Sequence, residues 1–195
     1  LLSGWLLENS GRRARVPEEH SETPYLTRRC IEFIESVGDE PWLCHLSFLK
    51  PHWPYIVPAP YDDMYGTEDI IPVVRSVQEK ESPHPVYGAF QNQPVCRTYS
   101  DDKVRERVIP AYMALVKQID DQMGVLFDYL ERKNFFENTM IVFTSDHGDY
   151  LGDHWMGEKD LFHEPSVRIP LIIYDPRGSA DVTRGTATDA LVESV

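Results

Sequence analysis

Asp146 and His147 are the residues of this 195-residue chain whose types and position are best suited to chemistry. They directly follow an apolar segment, Met140 to Ser145, and precede Gly148, a residue type that permits a tight turn. Such a segment predicts a buried strand, and open α/β sheets bind ligands at the carboxyl ends of their strands. A carboxylate and an imidazole there can bind one divalent cation; Mn²⁺ and Zn²⁺ suit them better than Ca²⁺, which prefers more oxygens. The alternative interpretation is an aspartate that caps the loop beside a surface histidine.

A second histidine and a lysine are further candidates. His52 follows a mostly apolar segment, Trp42 to Leu49, which predicts a central strand. Because prolines flank it, His52 could also do no more than stiffen a loop. Lys159 lies downstream of Gly148 and, taken alone, is a solvated surface lysine.

Three stretches within about residues 20–175 carry distinctive motifs. They read Leu46-Ser-Phe-Leu-Lys-Pro-His-Trp-Pro54, Ile119-Asp-Asp-Gln-Met-Gly124, and Phe143-Thr-Ser-Asp-His-Gly-Asp-Tyr-Leu-Gly-Asp-His154 with Lys159, Glu164 and Arg168-Ile-Pro-Leu-Ile downstream. Together these stretches resemble the alkaline phosphatase superfamily, and within it the sulfatases and phosphonate monoester hydrolases. The resemblance implies that Asp146 and His147 are ligands of one divalent metal ion, Mn, Ca or Zn. It also implies that His52 faces the anionic group of the substrate and that Lys159 bridges nucleophile and substrate.

The activity implied by the resemblance is hydrolysis of a small anionic sulfate, phosphate or phosphonate ester by a formylglycine nucleophile. In this family formylglycine arises from a Cys-x-Pro-x-Arg or Ser-x-Pro-x-Arg element, and neither occurs in the 195 residues. The family's first metal-binding Asp pair is also absent. We therefore interpret residues 1–195 as the central-to-late part of a sulfatase-type catalytic domain, expect the nucleophile upstream, and expect the isolated chain to be inactive.

Two alternatives remain open. A two-zinc phosphodiesterase or phosphomutase of the same superfamily also uses Asp-His-Gly, but it needs a further histidine ligand far downstream and has no element like Lys50 to Pro54. The isolated chain could instead be a non-catalytic binding domain.

The composition narrows the choice of partners. A net charge of −13 argues against nucleic acid and against an anionic membrane surface, and no apolar run approaches the length of a membrane span. In so acidic a chain, the positive charge for an anionic substrate must come from a metal, Lys159 and a protonated His52. Three cysteines at scattered spacing predict neither a disulfide framework nor a zinc site, and their odd number favours a cytoplasmic over a secreted protein. The sequence leaves the oligomeric state open.

Helical and apolar patterns alternate along the chain, which predicts an α/β protein. With the resemblance, they predict an alkaline-phosphatase-like layered fold, in which helices flank a mostly parallel central sheet, present here as a partial domain. The expected helices cover about 23–37 and 104–132, and the expected strands cover 42–49, 139–145 and 167–174. The Pro-rich segment 50–103 is expected to carry short helices and to cover the rim of the active site.

The predicted sheet has a geometric consequence for the candidate residues. If the strands ending at Leu49 and Ser145 lie in one sheet and point the same way, their carboxyl ends share one edge. One cleft would then contain His52, Asp146, His147 and Lys159. Two other histidines, His154 and His163, are expected to be loop residues rather than ligands.

Overall fold

The computed structural model describes residues 10–187, which form six α-helices and one pair of strands. The helices are α1 (Glu22–Val37), α2 (Val77–Glu81), α3 (Pro85–Gln91), α4 (Pro94–Tyr99), α5 (Asp102–Arg132) and α6 (Glu164–Val167). The strands are β1 (Ile141–Thr144) and β2 (Leu171–Tyr174). Within these residues no helix is both long and apolar enough to cross a membrane.

Helix α5 is the central element and matches the helix predicted over 104–132. Asp101 caps it by accepting a hydrogen bond from the Lys103 amide (2.9 Å), and Pro110 lies inside the 31-residue helix. Its apolar residues recur at three- and four-residue spacing, so one stripe is buried along its whole length. The N-terminal half packs against buried residues of α4 and of the segment between α1 and α2, namely Tyr55, Val57, Tyr61 and Tyr99.

Helix α1 packs against the C-terminal half of α5. It begins just before the predicted start, after Ser21, and ends where Gly38 adopts a φ of 61°, a backbone angle that glycine tolerates. Cys30 and Ile34 of α1 form a buried cluster with α5 residues Leu126, Tyr129 and Leu130. The helix predicted at about 23–37 is therefore confirmed.

The segment predicted as a central strand, 42–49, is not part of a sheet within the described residues. Its side chains alternate between half-buried and exposed: Trp42, Cys44 and Leu46 lie against the α1–α5 cluster, while Leu43 is 91% exposed. The period-two pattern of a strand is thus present. The prediction that this segment pairs within a central sheet was wrong, because no strand in the described part of the chain bonds to its backbone.

Among residues 10–187 the sheet consists of β1 and β2, which pair antiparallel, with Ile141 opposite Tyr174 and Thr144 opposite Leu171. Both strands were predicted, but the mostly parallel arrangement is not what this pair shows. A parallel pair needs a crossover, usually a helix along the sheet, to return the chain to the starting edge. The connection between β1 and β2 contains only the four-residue α6 as α-helix, so the chain re-enters the sheet from the end at which it left.

The Pro-rich segment 50–103 carries α2, α3 and α4, as predicted. It also contacts the loop that follows β1. The Val74 amide donates to the Asp153 carboxylate (2.9 Å), and the indole nitrogen of Trp155 donates to the Ser76 carbonyl (2.6 Å). These contacts hold the segment on the loop that contains the candidate residues.

Candidate active site

The loop after β1 holds the ring of His147 in place with hydrogen bonds. The Ser145 hydroxyl donates to the His147 carbonyl (2.7 Å), and the His147 amide donates to Oδ1 of Asp146 (3.0 Å). The ring nitrogen Nδ1 of His147 lies 2.7 Å from the Gly148 carbonyl oxygen. Because a carbonyl only accepts, Nδ1 must carry a proton, and Nε2 is the nitrogen that presents a lone pair whenever the ring is neutral.

Asp146 and His147 therefore suit a divalent cation. The Asp146 side chain is 83% exposed, and its Oδ2 lies 3.5 Å from Nε2 of His147. Two ligands of one metal lie about 3 Å apart, since metal–ligand bonds to nitrogen and oxygen are roughly 2.0–2.2 Å. Among residues 10–187, no group of three or more His, Cys, Asp or Glu side chains is arranged to hold a metal. The described residues thus supply a pair of donors rather than a full coordination shell.

Gly148 places this loop against the chain leading to β2. Its amide donates to the Ser166 carbonyl (2.7 Å), and a Cβ at this position would lie 1.9 Å from the Pro165 carbonyl oxygen. No side chain fits there without moving backbone. The glycine of the Asp-His-Gly motif is therefore required by close packing of two backbones.

His52 and Lys159 are in direct contact, although 107 residues separate them in the sequence. Nζ of Lys159 lies 2.9 Å from Nε2 of His52, and Nδ1 of His52 lies 2.8 Å from the Trp53 carbonyl oxygen. An ammonium only donates and a carbonyl only accepts, so Nε2 accepts and Nδ1 donates. His52 is then neutral, and the pair carries one positive charge, whereas the sequence predicted a protonated His52 as well as a charged Lys159.

Hydrogen bonds from the two loops hold this pair. Lys50 curls over the His52 loop and donates to the carbonyls of His52 (3.2 Å) and Pro54 (2.8 Å). The Trp53 indole donates to Oε1 of Glu158 (3.2 Å), the residue before Lys159. The loop of the histidine is thereby fixed to the loop of the lysine.

Ser166 connects the two pairs. Its carbonyl accepts the bond from Gly148, and its hydroxyl donates to the Lys159 carbonyl (2.6 Å). Ser166 is buried, so this connection is shielded from water. The structure thus joins His52 to Lys159 and Asp146 to His147, while the convergence of all four side chains on one substrate stays a prediction.

A buried carboxyl was missed by the sequence analysis. Oδ2 of Asp149 accepts from the Tyr55 hydroxyl (3.0 Å), which accepts from the Tyr99 hydroxyl (3.1 Å), and Oδ1 accepts from the Leu151 amide (3.0 Å). Burial of the carboxyl raises the pKa of Asp149 to about 6, although both hydrogen bonds that it accepts oppose the shift. The chain of hydroxyls joins the His52 loop, α4 and the Asp-His-Gly loop, and the only sequence signal for it was the position of Asp149 inside the motif.

His154 and His163 form a separate pair. Their rings stack at 4.1 Å with 15° between the planes, beside a cavity of ≈ 250 Å³. Nδ1 of His154 bonds Glu79 (2.7 Å), and Nδ1 of His163 bonds the Tyr150 hydroxyl (2.9 Å). Burial and the neighbouring His154 lower the pKa of His163. These contacts occupy one nitrogen of each ring in packing the loop.

Comparison with known proteins places the chain in a family. The family model described as Sulfatase matches residues 6–195. The multifunctional alkaline phosphatase superfamily protein PehA of Trinickia caryophylli is 31% identical over 175 residues, which cover 83% of this chain and 34% of that protein. The choline-sulfatase of Rhizobium meliloti (strain 1021) is 34% identical over 169 residues, 82% of this chain and 32% of that protein.

Solved structures give the same result for the fold. The phosphonate monoester hydrolase SpPMH from Silicibacter pomeroyi has a TM-score of 0.79 at 25% identity, covering 85% of this chain and 35% of that one. The phosphonate monoester hydrolase of Agrobacterium radiobacter has a TM-score of 0.74 at 27% identity, covering 86% and 35%. The predicted alkaline-phosphatase-like fold, as a partial domain, is confirmed. The chain spans about a third of the length of these relatives, and over that span it belongs to the sulfatase family.

Proposed function

We propose that this chain is part of a metal-dependent hydrolase of sulfate, phosphate or phosphonate esters, with a small anionic ester as substrate. The observation that carries the proposal is the contact of Lys159 with Nε2 of His52. This contact supports the proposal because it holds the ammonium of Lys159, a residue of the loop that continues from Asp146 and His147, against the His52 ring. An anionic ester needs such fixed positive charge, and a chain of net charge −13 supplies little of it elsewhere.

Lys159 and His52 stabilise charge on the substrate. The Lys159 ammonium keeps two further donor hydrogens once one is directed to Nε2 of His52, and these are free for anionic oxygens. The imidazole holds the ammonium in place, so little reorganisation is needed when charge develops on the transferred or leaving oxygens. Trp53 and Glu158 are positioning residues, because their hydrogen bond (3.2 Å) joins the two loops.

Asp146 and His147 would hold one divalent ion, Mn, Ca or Zn. The lone pair on Nε2 of His147 and the exposed carboxylate of Asp146 are the donors. When bound, the metal neutralises anionic oxygens and lowers the pKa of the attacking hydroxyl. The 195 residues contain no formylglycine motif, so the proposal assigns the nucleophile to another segment of the protein.

The test is hydrolysis by the complete gene product that contains this chain. Aryl sulfate, aryl phosphate and aryl phosphonate monoesters are assayed with Mn²⁺, Ca²⁺ or Zn²⁺, and the preferred ester identifies the substrate class. Lys159→Met and His52→Gln should each lower kcat/KM by about 10²- to 10³-fold, the range for losing one preorganised donor. A product that hydrolyses none of the three esters would refute the proposal.

Matched controls separate the site from the rest of the surface. Lys103→Met and His45→Gln change the same residue types at exposed positions. Both should leave kcat/KM unchanged. If they lower it as much as Lys159→Met and His52→Gln do, the roles assigned to the pair are wrong.

A further inference from the structure

Two cysteines lie in contact although the sequence separates them by 14 residues. Sγ of Cys30 is 3.4 Å from Sγ of Cys44, and both are free thiols. Cys30 lies on α1, and Cys44 lies in the extended segment 42–49. The two thiols are therefore in van der Waals contact where segment 42–49 packs on α1, a contact that the hydrolysis proposed above does not use.

The surroundings let the sulfurs approach further. Cys30 is fixed in the α1–α5 cluster at 7% exposure. Cys44 is half-buried, and among the described residues the backbone of 42–49 has no strand partner that would resist a small shift. A disulfide needs its sulfurs at about 2.05 Å, which a small movement of Cys44 toward α1 would supply.

The two thiols are unequal in reactivity. Desolvation and the neighbouring Cys44 sulfur raise the pKa of Cys30 to about 12, so Cys30 is a poor first nucleophile. Cys44 is the more accessible of the two. Reaction therefore begins at Cys44, and Cys30 completes it.

The third cysteine provides an internal control. Cys96 is buried on α4, and its Sγ points to the Gly157 carbonyl oxygen at 3.8 Å. It packs with Tyr150, Met156 and Leu161 in a different cluster from that of Cys30. The folded chain thus keeps Cys96 apart from the pair.

We propose that Cys30 and Cys44 are an oxidisable pair that closes to an intramolecular disulfide by exchange with a small disulfide such as oxidised glutathione. The Cys44 thiolate attacks one glutathione sulfur, an S–S bond breaks, and one glutathione leaves as thiolate. The Cys30 thiol, losing its proton, attacks Sγ of the mixed disulfide and displaces the second glutathione. The two protons pass to the two released thiolates, so two protein thiols and one oxidised glutathione give one protein disulfide and two reduced glutathiones.

The bond would link α1 covalently to the segment that leads into the His52 loop. With the disulfide closed, Trp42 and Leu46 could no longer leave the α1–α5 cluster independently of α1. Oxidation would thus stiffen the approach to His52 without touching His52, Lys159 or the metal donors. This inference does not depend on which ester is hydrolysed.

The experiment measures the effective concentration of the pair in glutathione redox buffers, in native buffer and in concentrated urea. Samples are quenched, alkylated and mapped by mass spectrometry. We expect a peptide linked through Cys30 and Cys44, and a free Cys96. The equilibrium constant for forming the Cys30–Cys44 disulfide should be at least about tenfold greater in native buffer than in urea, equivalent to ~30 mV in reduction potential. Equal constants in both conditions, or bonds to Cys96 as frequent as Cys30–Cys44, would overturn the proposal.

Two variants complete the design, and circular dichroism confirms their helical content in native buffer. Cys96→Ser should leave the ratio of the disulfide equilibrium constants in native buffer and in urea unchanged. Cys30→Ser should stop the reaction at a Cys44–glutathione mixed disulfide, detectable as a mass increase of about 305 Da from one added glutathione. Accumulation of the adduct on Cys96 instead would contradict the assignment of Cys44 as the reactive thiol.

Discussion

Replacing Asp149 by asparagine should remove one component of the pH dependence of folding stability. Asp149 is the carboxyl at the end of the Tyr99–Tyr55 hydroxyl chain. Asparagine has nearly the same shape and stays neutral. Its Oδ1 can still accept from the Leu151 amide, and its NH₂ can donate to Tyr55 if the two hydroxyls reverse their direction.

The magnitude follows from the pKa of Asp149, which burial raises from its ordinary 3.8 to about 6 in the folded chain. Each tenfold change in proton affinity is worth about 1.4 kcal/mol, so ionising Asp149 costs the fold about 3 kcal/mol. Between about pH 4 and pH 6 the folded chain binds more protons than the unfolded chain. The contribution of Asp149 to the free energy of unfolding is therefore full below pH 4, falls as pH rises through this window, and stays low above pH 6.

The assay is urea unfolding of wild type and Asp149→Asn from pH 4 to pH 7.5, in EDTA. The stability of the variant relative to wild type should increase by about 3 kcal/mol from the acid to the neutral end, while other titrating groups cancel in the difference. The stability of Tyr55→Phe relative to wild type should instead decrease from the acid to the neutral end. This change removes a hydrogen-bond donor that stabilises the charged Asp149, so it raises the pKa of Asp149 and extends the titration window to higher pH. Parallel pH profiles for wild type and Asp149→Asn would refute the reasoning.

Three further predictions concern the motif loop. Gly148→Ala should lower the free energy of unfolding in urea by about 1–3 kcal/mol, because the added Cβ would meet the Pro165 carbonyl oxygen. Gly124→Ala in α5, where nothing lies within 4 Å of the added Cβ, should raise it by up to about 1 kcal/mol, and equal effects of the two variants would contradict the packing argument. The isolated chain should bind Mn²⁺ or Zn²⁺ weakly by calorimetry, and more weakly still as His147→Ala, because two donors leave most of the shell to water; a tight stoichiometric site would show that other residues join. The isolated chain should not hydrolyse aryl sulfates, phosphates or phosphonates, and turnover that Asp146→Ala abolishes would disprove this.

Local pattern was sufficient for the helices and for the proximity of Asp146 and His147. Helices α1 and α5 follow from the spacing of their apolar residues, a pattern that is set by a few neighbouring positions of sequence. Asp146 and His147 are adjacent, so their proximity required no tertiary information. The proton on Nδ1 of His147 could not be predicted in this way, because it depends on where the Gly148 carbonyl points in the folded chain.

Contacts between residues far apart in the sequence could be predicted only where both residues belong to a motif. The proximity of His52 and Lys159, though not their direct contact, was expected because both belong to stretches that resemble one family. The chain from Tyr99 through Tyr55 to Asp149 was not, since tyrosines in a Pro-rich segment show no periodicity that would reveal a shared partner. Strand pairing was mistaken for the same reason: alternation predicts an extended backbone, and the partner is set by the rest of the fold.

The two-stranded sheet has a consequence for handling the chain in solution. Val142, Ile172 and Ile173 of β1 and β2 are 54%, 62% and 57% exposed, and within residues 10–187 no third strand pairs with the outer edges of this ribbon, which leaves their amides and carbonyls available to another strand. Copies of the chain can therefore add to one another edge to edge, as aggregating strands do. A net charge of −13 opposes this by mutual repulsion. Because salt shortens the reach of that repulsion to about 10 Å at 0.1 M, raising the ionic strength should promote precipitation of the purified chain.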